Sequence, residues 1–288
     1  MIRPSPYDWR IPTVKKLCLL VSILPLFGCN NAEDNVKQQS DKQNYTQIYE
    51  QVPSSKIQKT KNISTVTKDN SKQPIAKTNV AQPVKQPGKK ESMMLDVVLI
   101  KQNPELRYGC EVTSLAMVLN YAGVKTDKMD LYRTIQKDPD PIKRAGNGDI
   151  LNWGNPADGF VGDMTGRQAG YAVFDKPMEA LVNQKLPGRA INLTNQPFEK
   201  VLEHVSAGYP VVVWTTGDYR LPDRWESWYH GRQVIKTPLD LHAVVLVGYD
   251  ANYVYLNDPL SGRKQVRVEK EKFIASWKAL QNRAVSYK

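Results

Sequence analysis

The pattern of apolar and polar residues divides the chain into three parts. Residues 17–27 form an apolar run of eleven residues, and residues 30–92 are mostly polar and contain no Trp, Phe or Leu. Periodic apolar spacing begins only after residue 92. Residues 93–288 are long enough to form one domain with a sizeable core, so the pattern predicts one folded domain behind a long polar segment.

Within residues 93–288, the predicted helices precede most of the predicted strands. An apolar face and a stop at Gly123 predict a helix over 110–122, and Asp127 is a candidate N-cap for a second helix. The other predicted helices cover 177–184, the stretch from 198 up to Gly208, and the region of 273–280; the predicted strands cover 211–214, 242–248 and 253–256. This order favours an α+β fold with an antiparallel sheet.

Two connections in this domain carry further predictions. A turn at 250–252 would join the last two strands into a hairpin that ends at Asp258-Pro259. Residues 138–170 show no sustained period and are rich in Gly, Asn, Asp and Pro. We therefore expect a long surface loop or lid there, of the kind that often borders a binding site.

The N-terminal part predicts export and attachment to a membrane. Lys15 and Lys16 precede the apolar run, which is shorter than the about 20 residues that a membrane span needs. The following Leu26-Phe27-Gly28-Cys29 resembles the lipobox of bacterial lipoproteins, in which the cysteine is acylated and becomes the new N-terminus. Residues 1–29 would then be a lipoprotein signal peptide, and acylated Cys29 would anchor the protein in lipid outside the cytoplasm. An ordinary cleaved signal and an uncleaved anchor are the alternatives.

Residues 30–92 are predicted to be a disordered polar and basic tether, because they cannot bury enough apolar surface to offset the ordering entropy. The net charge of +11 lies largely in this tether and in the signal segment. Residues 93–288 carry 25 basic and 22 acidic side chains, a net charge of only +3. The charge distribution therefore argues against a nucleic-acid partner and favours anionic lipid or wall polymer near the basic tether.

Cys110 is the candidate for chemistry in the folded domain. Of the three cysteines, Cys18 lies in the signal segment and Cys29 at the lipidation site, so Cys110 has no partner for an intramolecular disulfide. It is either an inert buried side chain or a nucleophile. At the start of a helix, with a histidinium nearby, its pKa would fall to roughly 3.5–7.5. Gly109 would let a substrate backbone approach.

Three histidines could serve as its base. His204 lies on an amphipathic helix and is interpreted as a partly exposed structural residue, and His230 lies in a predicted loop among aromatic residues. His242 begins an apolar strand, and a strand end can hold a base rigidly at the rim of a sheet. The paired strand returns Asn257 and Asp258 to that rim, where a carboxylate could orient the imidazole. A turn that simply ends the strand is the alternative for Asp258.

Neither a metal nor a cofactor is predicted. The histidines are far apart and lack the HExxH and CxxC spacings of zinc sites, and the loop with Asp149, Asp158 and Asp163 lacks the spacing of an EF-hand. A calcium ion in that loop stays an open alternative.

Two blocks of sequence resemble a known family. Residues 102–105 and 108–121, which include Gly109-Cys110, are similar to the nucleophile segment of family-39-like cysteine peptidases, a papain-like group that includes the leader peptidases of bacteriocin exporters. Residues 242–250 and 255–259 resemble that family's histidine and aspartate segments, and residues 154–163 resemble a loop of its stand-alone members. The resemblance covers about residues 93–288 and implies a papain-like fold, with Cys110 in a helical part and His242 and Asp258 on an antiparallel sheet.

The resemblance also implies the roles of single residues. Cys110 would be the nucleophile, His242 the base and acid, and Asp258 the orienting acid, with Asn257 as a second candidate for that last role. Gln102 matches the oxyanion-hole glutamine. The implied function is hydrolysis of peptide bonds in a peptide or protein substrate, although no transporter or ATPase motif accompanies the domain.

Two other functions stay open from the sequence. The same three residues could serve an amidase or acyl-transfer enzyme that acts on cell-wall peptides. Alternatively, the domain could be a catalytically silent module that binds peptides. In that case, aromatic residues would line a groove: Trp153, Trp214, Trp225, Trp228 and Tyr229.

Overall fold

The computed structural model describes residues 89–288. The predicted signal peptide, its lipobox at Leu26–Cys29 and nearly all of the predicted tether therefore lie outside the described residues. Within residues 89–288, no helix has the length and apolar character needed to cross a membrane.

The domain contains five helices and thirteen strands among its described residues. The helices are α1 (Cys110–Tyr121), α2 (Lys128–Thr134), α3 (Asp175–Lys185), α4 (Phe198–Ser206) and α5 (Lys270–Ala279). The strands are β1 (Met93–Met94), β2 (Lys137–Asp138), β3 (Lys143–Arg144), β4 (Ile150–Asn152), β5 (Phe160–Val161), β6 (Ala190–Asn192), β7 (Val211–Thr216), β8 (Trp225–His230), β9 (Gln233–Pro238), β10 (Leu241–Tyr249), β11 (Tyr253–Asp258), β12 (Arg263–Glu269) and β13 (Ala284–Tyr287).

The main sheet is antiparallel and carries the core of the domain. Its strands lie in the order β12-β11-β10-β7-β13-β6, and β1 also pairs with β10. The hairpin of β10 and β11 turns at residues 250–252, where the Asp250 side chain accepts hydrogen bonds from the N–H groups of Asn252 and Tyr253. The α+β class and the predicted hairpin are therefore confirmed.

Helix α1 is central because it is buried along most of its length. Every residue from Cys110 to Leu119 is buried, and the helix packs against β10 and β7. Gly123, with a φ of +85°, follows the helix and ends it as predicted. The N-cap role of Asp127 is confirmed as well, because its side chain accepts a hydrogen bond from the N–H of Asp130 at 2.7 Å.

The prediction of a long surface loop or lid over 138–170 is wrong in part. Short strands interrupt this segment, and two of them, β3 and β4, join the β8–β9 hairpin in a separate four-stranded sheet. A small core of Trp153, Trp228 and Ile235 lies beneath that sheet. The short strands escaped prediction because two or three residues are too few to show a period.

The aromatic residues that might have lined a peptide groove are mostly core residues. Trp214 is fully buried in the main core, and Trp153 and Trp228 pack against each other with ring centroids 5.6 Å apart. Trp225 and Tyr229 are exposed on one face of β8. A groove formed by all five residues is therefore not present.

Candidate active site

Cys110 is the first residue of α1 and is 7% exposed. Gly109 precedes it as the N-cap and offers no side chain to the free N–H groups of the first turn. A Cβ atom on Gly109 would lie 2.5 Å from Cβ of Leu106. The glycine therefore allows the loop to pack tightly before the nucleophile candidate, which is a more immediate reason for it than access of a substrate.

His242 and Asp258 form a buried pair at the end of the main sheet. Nε2 of His242 lies 2.8 Å from Oδ1 of Asp258, and both residues are 3% exposed. They are neighbours because β10 and β11 are paired strands of the predicted hairpin. Since Nε2 is engaged by the carboxylate, Nδ1 is the ring nitrogen available to a reacting group.

Four residues donate hydrogen bonds to the Asp258 carboxylate. Besides His242, the N–H groups of Leu260 and Ser261 donate to Oδ1 at 2.9 and 3.3 Å, and the Tyr219 hydroxyl donates to Oδ2 at 3.1 Å. Burial by itself would raise the pKa of Asp258, but the hydrogen bond and charge of His242 and the other donors lower it well below its usual range. The carboxylate thus stays ionised beside the imidazole.

Tyr219 was not found by sequence reasoning. It follows β7 in a turn and has a φ of +63°, a left-handed conformation that a tyrosine seldom adopts. The hydroxyl reaches Asp258 across a long separation in sequence, so no local pattern indicated the contact.

The start of α1 lies against the start of β10. The main chain of Ala243, the residue after His242, forms a hydrogen bond to the Cys110 thiol that favours its ionised form. One turn later, the Ser114 hydroxyl donates to the carbonyl of Ala243 at 3.2 Å. The charge of Asp258 also acts on the thiol. These contacts bring Cys110, His242 and Asp258 to one site.

Gln102 lies in the loop that leads to α1 and is 2% exposed. Its main-chain N–H donates to the carbonyl of Pro259 at 2.9 Å, which joins this loop to the end of β11. Its side-chain Nε2 donates to the carbonyl of Arg107 at 2.8 Å, while Oε1 is buried without a hydrogen-bond partner. The Arg107 carbonyl therefore fixes the orientation of the amide, and the second N–H of Nε2 is left for another acceptor.

Asn257, the second candidate for orienting the histidine, has a different role. Its Nδ2 donates to the carbonyl of Val97 at 3.0 Å, and its Oδ1 accepts from the N–H of Gln265 at 2.9 Å. Since successive side chains of a strand point to opposite faces, Asn257 faces away from the side occupied by Asp258. Through these two hydrogen bonds, Asn257 joins the segments that contain Val97 and Gln265 to β11.

The Cys110 thiol differs from the sequence prediction in its acidity. Burial raises its pKa well above the usual range, and the charge of Glu111 raises it further, which outweighs the hydrogen bond from Ala243. The thiol donates to Oε2 of Glu111 at 3.4 Å. The prediction of a lowered pKa is therefore wrong for this arrangement, because the sequence did not reveal that a buried carboxylate faces the sulfur.

The loop after β5 packs against the residues before Cys110. The N–H of Tyr108 donates to the carbonyl of Met164 at 2.9 Å. The carboxylate of Asp163 accepts hydrogen bonds within this loop from the N–H groups of Thr165, Arg167 and Gln168. Asp163 is thus used to shape the loop, and the loop borders the candidate site as the sequence predicted for residues 138–170.

The two other histidines lie in different surroundings. His204 is half-buried, and its Nε2 lies 3.0 Å from the Ser286 hydroxyl and 2.9 Å from the carbonyl of Tyr287, which confirms a structural role. His230 lies in strand β8 and not in a loop. A ring nitrogen of His230 and one carboxylate oxygen each from Asp138 and Asp158 lie within 4.8 Å of one another. This group of side chains joins residues 138–158 to β8. The sequence did not indicate this group, because its three residues are far apart in the chain.

Comparisons with known proteins identify the family of this chain. The model of the Peptidase_C39 like family matches residues 94–285. YvpB of Bacillus subtilis (strain 168), a protein of uncharacterised function, is 36% identical over 193 residues, which are 66% of this chain and 74% of YvpB. A crystal structure from Bacillus anthracis, classed as a C39-like peptidase of unproven activity, superposes with a TM-score of 0.62 at 38% identity, covering 69% of this chain and 98% of that one. The chain therefore belongs to the Peptidase_C39-like family and has its papain-like α+β fold.

Proposed function

We propose that the protein is a cysteine peptidase that hydrolyses peptide bonds through Cys110, His242 and Asp258. The observation that carries this proposal is the buried His242–Asp258 pair at 2.8 Å, which lies beside the helix start that presents Cys110. A buried carboxylate that fixes a histidine next to a cysteine is the arrangement that nucleophilic catalysis by a thiol requires.

In the proposed reaction, the Cys110 thiolate attacks the carbonyl carbon of the scissile bond while His242 carries the sulfur proton. The oxyanion that forms would accept hydrogen bonds from the main-chain N–H of Cys110 and from Nε2 of Gln102. His242 then gives its proton to the leaving amine, which leaves an acyl group on the sulfur. A water molecule then gives a proton to His242 while its oxygen attacks the acyl carbon. The C–S bond breaks, the acid leaves, and the proton returns from His242 to the sulfur.

Asp258 contributes by stabilising the imidazolium. It holds Nε2, which directs Nδ1 of His242 toward the sulfur in the proposed mechanism. The Tyr219 hydroxyl and the N–H of Leu260, which also donate to Asp258, keep the carboxylate in place while the charge on the imidazole changes. No proton needs to pass to Asp258.

The place of action is part of the proposal. The lipobox-like Leu26–Cys29 supports acylation of Cys29, and the polar residues 30–92 would hold the domain away from the membrane. Replacing Cys29 by Ser should prevent incorporation of labelled fatty acid and move the protein from the membrane fraction to the soluble fraction. Unchanged fractionation of this variant would contradict the lipid anchor.

The activity is tested with purified protein and a library of peptides, with products identified by mass. Wild-type protein should cleave a subset of peptides, and Cys110→Ala and His242→Ala should not, while His204→Ala serves as the matched control. Losing one oxyanion donor typically costs about 100–1,000-fold in rate, so Gln102→Ala should retain only a trace of turnover. Equal hydrolysis by Cys110→Ala would refute the proposal, and products extended by an added amine would indicate acyl transfer.

A further inference from the structure

Glu111 follows the proposed nucleophile directly, and the proposed mechanism does not use it. Its side chain is completely buried in the first turn of α1. Oε2 accepts the hydrogen bond from the Cys110 thiol at 3.4 Å, and Oε1 accepts one from the N–H of Val173 at 3.0 Å. An ionisable side chain in contact with the reacting sulfur has consequences for the charge that the sulfur can carry.

The titratable groups around Glu111 come from several elements. The Cys110 thiol lies on the same helix, the His242 imidazole acts on Glu111 from β10, and the charge of Asp258 on β11 acts on the thiol. Tyr171, near Val173, is affected by the charge of Glu111. His242 is thus the group in this set that can supply a positive charge, and Asp258 already offsets it.

A second negative charge in this site is costly. Burial raises the pKa of Glu111 to about 7, against the effects of its own main chain, Val173, Cys110 and His242. The charge of Glu111 in turn raises the pKa of Cys110. The protonated thiol favours the carboxylate form of Glu111, and that carboxylate opposes ionisation of the thiol. The two groups therefore form a coupled pair that readily holds one negative charge and holds two at a large cost.

We propose that Glu111 is a positioning residue that controls the proton on Cys110. As a carboxylate, it holds the S–H hydrogen and disfavours the thiolate; as a neutral acid, it permits the thiolate–imidazolium pair with His242. For this, Glu111 first takes a proton from water. The S–H bond then breaks and an N–H bond forms on His242, so the sulfur becomes negative, the imidazole becomes positive and Glu111 stays neutral. This inference rests on the proposed function because it concerns the same sulfur.

Glu111→Gln separates the charge from the shape of this side chain. The amide has nearly the same volume, its oxygen can still accept from the N–H of Val173, and its NH₂ group can donate to a sulfur anion. Glu203→Gln is the matched control, because Glu203 is exposed on α4 and pairs with Lys200. Loss of the carboxylate at Glu203 should leave the alkylation rate of Cys110 and its pH profile unchanged.

The experiment measures the rate of alkylation of Cys110 by iodoacetamide in full-length, detergent-solubilised protein across the pH range. Cys110→Ala and mass spectrometry of the labelled peptide assign the signal. Near neutral pH, Glu111→Gln should react about tenfold or more faster than wild type, and its rate should reach half-maximum at lower pH. A merely structural role of Glu111 would slow or preserve the reaction without this shift in the pH profile.

The outcomes separate the two proposals. If Cys110 is unreactive in wild type and in Glu111→Gln alike, the proposed function fails. If wild type reacts in a His242-dependent way but Glu111→Gln has the same pH profile, only the role of Glu111 is overturned.

Infrared spectra of wild-type protein labelled with ¹³C-glutamate decide the matter if the variant does not fold. A buried glutamic acid band should persist near pH 6 and disappear by about pH 8. Loss of all such bands near the ordinary pKa of glutamate would overturn the inference.

Discussion

Substitution of Asp258 should distinguish the loss of a charge from the loss of an orienting group. Asn at position 258 has the same shape: its Oδ1 can accept from His242 Nε2 and from the N–H of Leu260, while its NH₂ group can donate to a rotated Tyr219 hydroxyl. The geometry of the site is therefore retained in Asp258→Asn. In Asp258→Ala, these donors lose their acceptor inside the protein.

The magnitudes follow from the type of hydrogen bond. A hydrogen bond to a charged group contributes about 1.5–3 kcal/mol and a neutral one about 0.5–1.5 kcal/mol. Asp258→Asn should therefore lose about 1–1.5 kcal/mol of stabilisation of the imidazolium, which corresponds to about tenfold in rate. Asp258→Ala loses the whole interaction and the orientation, so its rate should fall by about 100-fold or more.

The assay is the His242-dependent alkylation rate of Cys110 at a fixed pH, with peptide turnover measured alongside once a cleaved sequence is known. Urea unfolding of each variant checks that the site is still folded. If Asp258→Asn is as slow as Asp258→Ala, orientation by an amide does not suffice and the reasoning fails. A wild-type rate in Asp258→Ala would show that Asp258 does not act on the histidine at all.

Three further predictions concern the surroundings of the site. Tyr219→Phe removes one donor to the Asp258 carboxylate and should slow alkylation by about tenfold, less than Asp258→Ala does; an unchanged rate would contradict a role for the hydroxyl. Gly109→Ala should lower the free energy of urea unfolding by about 1–3 kcal/mol through overpacking, whereas Gly146→Ala, where nothing lies within 4 Å, should not. Because the folded pKa of Glu111 is about 7 and the unfolded one about 4.5, wild type should lose about 3 kcal/mol of stability as pH rises between these values. Glu111→Gln should not show this loss. If the free energy of unfolding changes with pH in the same way in both proteins, the prediction is refuted.

Elements with a strong local pattern were predictable from the sequence. Helix α1 and the β10–β11 hairpin combine long apolar runs with a clear stop or turn, and their bounds agree with prediction to within about two residues. Strand β12 has the polar sequence of an edge strand, and the segment around His230, predicted as a loop, is part of strand β8. Pairing with β11 defines β12, and pairing with β9 and β4 defines β8.

The candidate site was predictable in its parts but not in its charges. Cys110, His242 and Asp258 could be selected because a helix start, a strand start and a hairpin end are visible in the sequence. Glu111 and Tyr219 could not, because their contacts depend on burial and on segments far away in the chain. The raised pKa of the thiol is a property of that packing, and the order of residues alone predicted the opposite direction.

Strand β13 is the last element of the domain in chain order, yet it lies between β7 and β6 inside the main sheet. Strand β7 is also the neighbour of β10, which carries His242. As the polypeptide emerges from the ribosome, Cys110 and His242 appear before residues 284–287, which form the strand between β7 and β6. A newly synthesised chain therefore has its reactive sulfur well before it has a finished scaffold, so any activity that needs the intact sheet is delayed until synthesis has passed this strand.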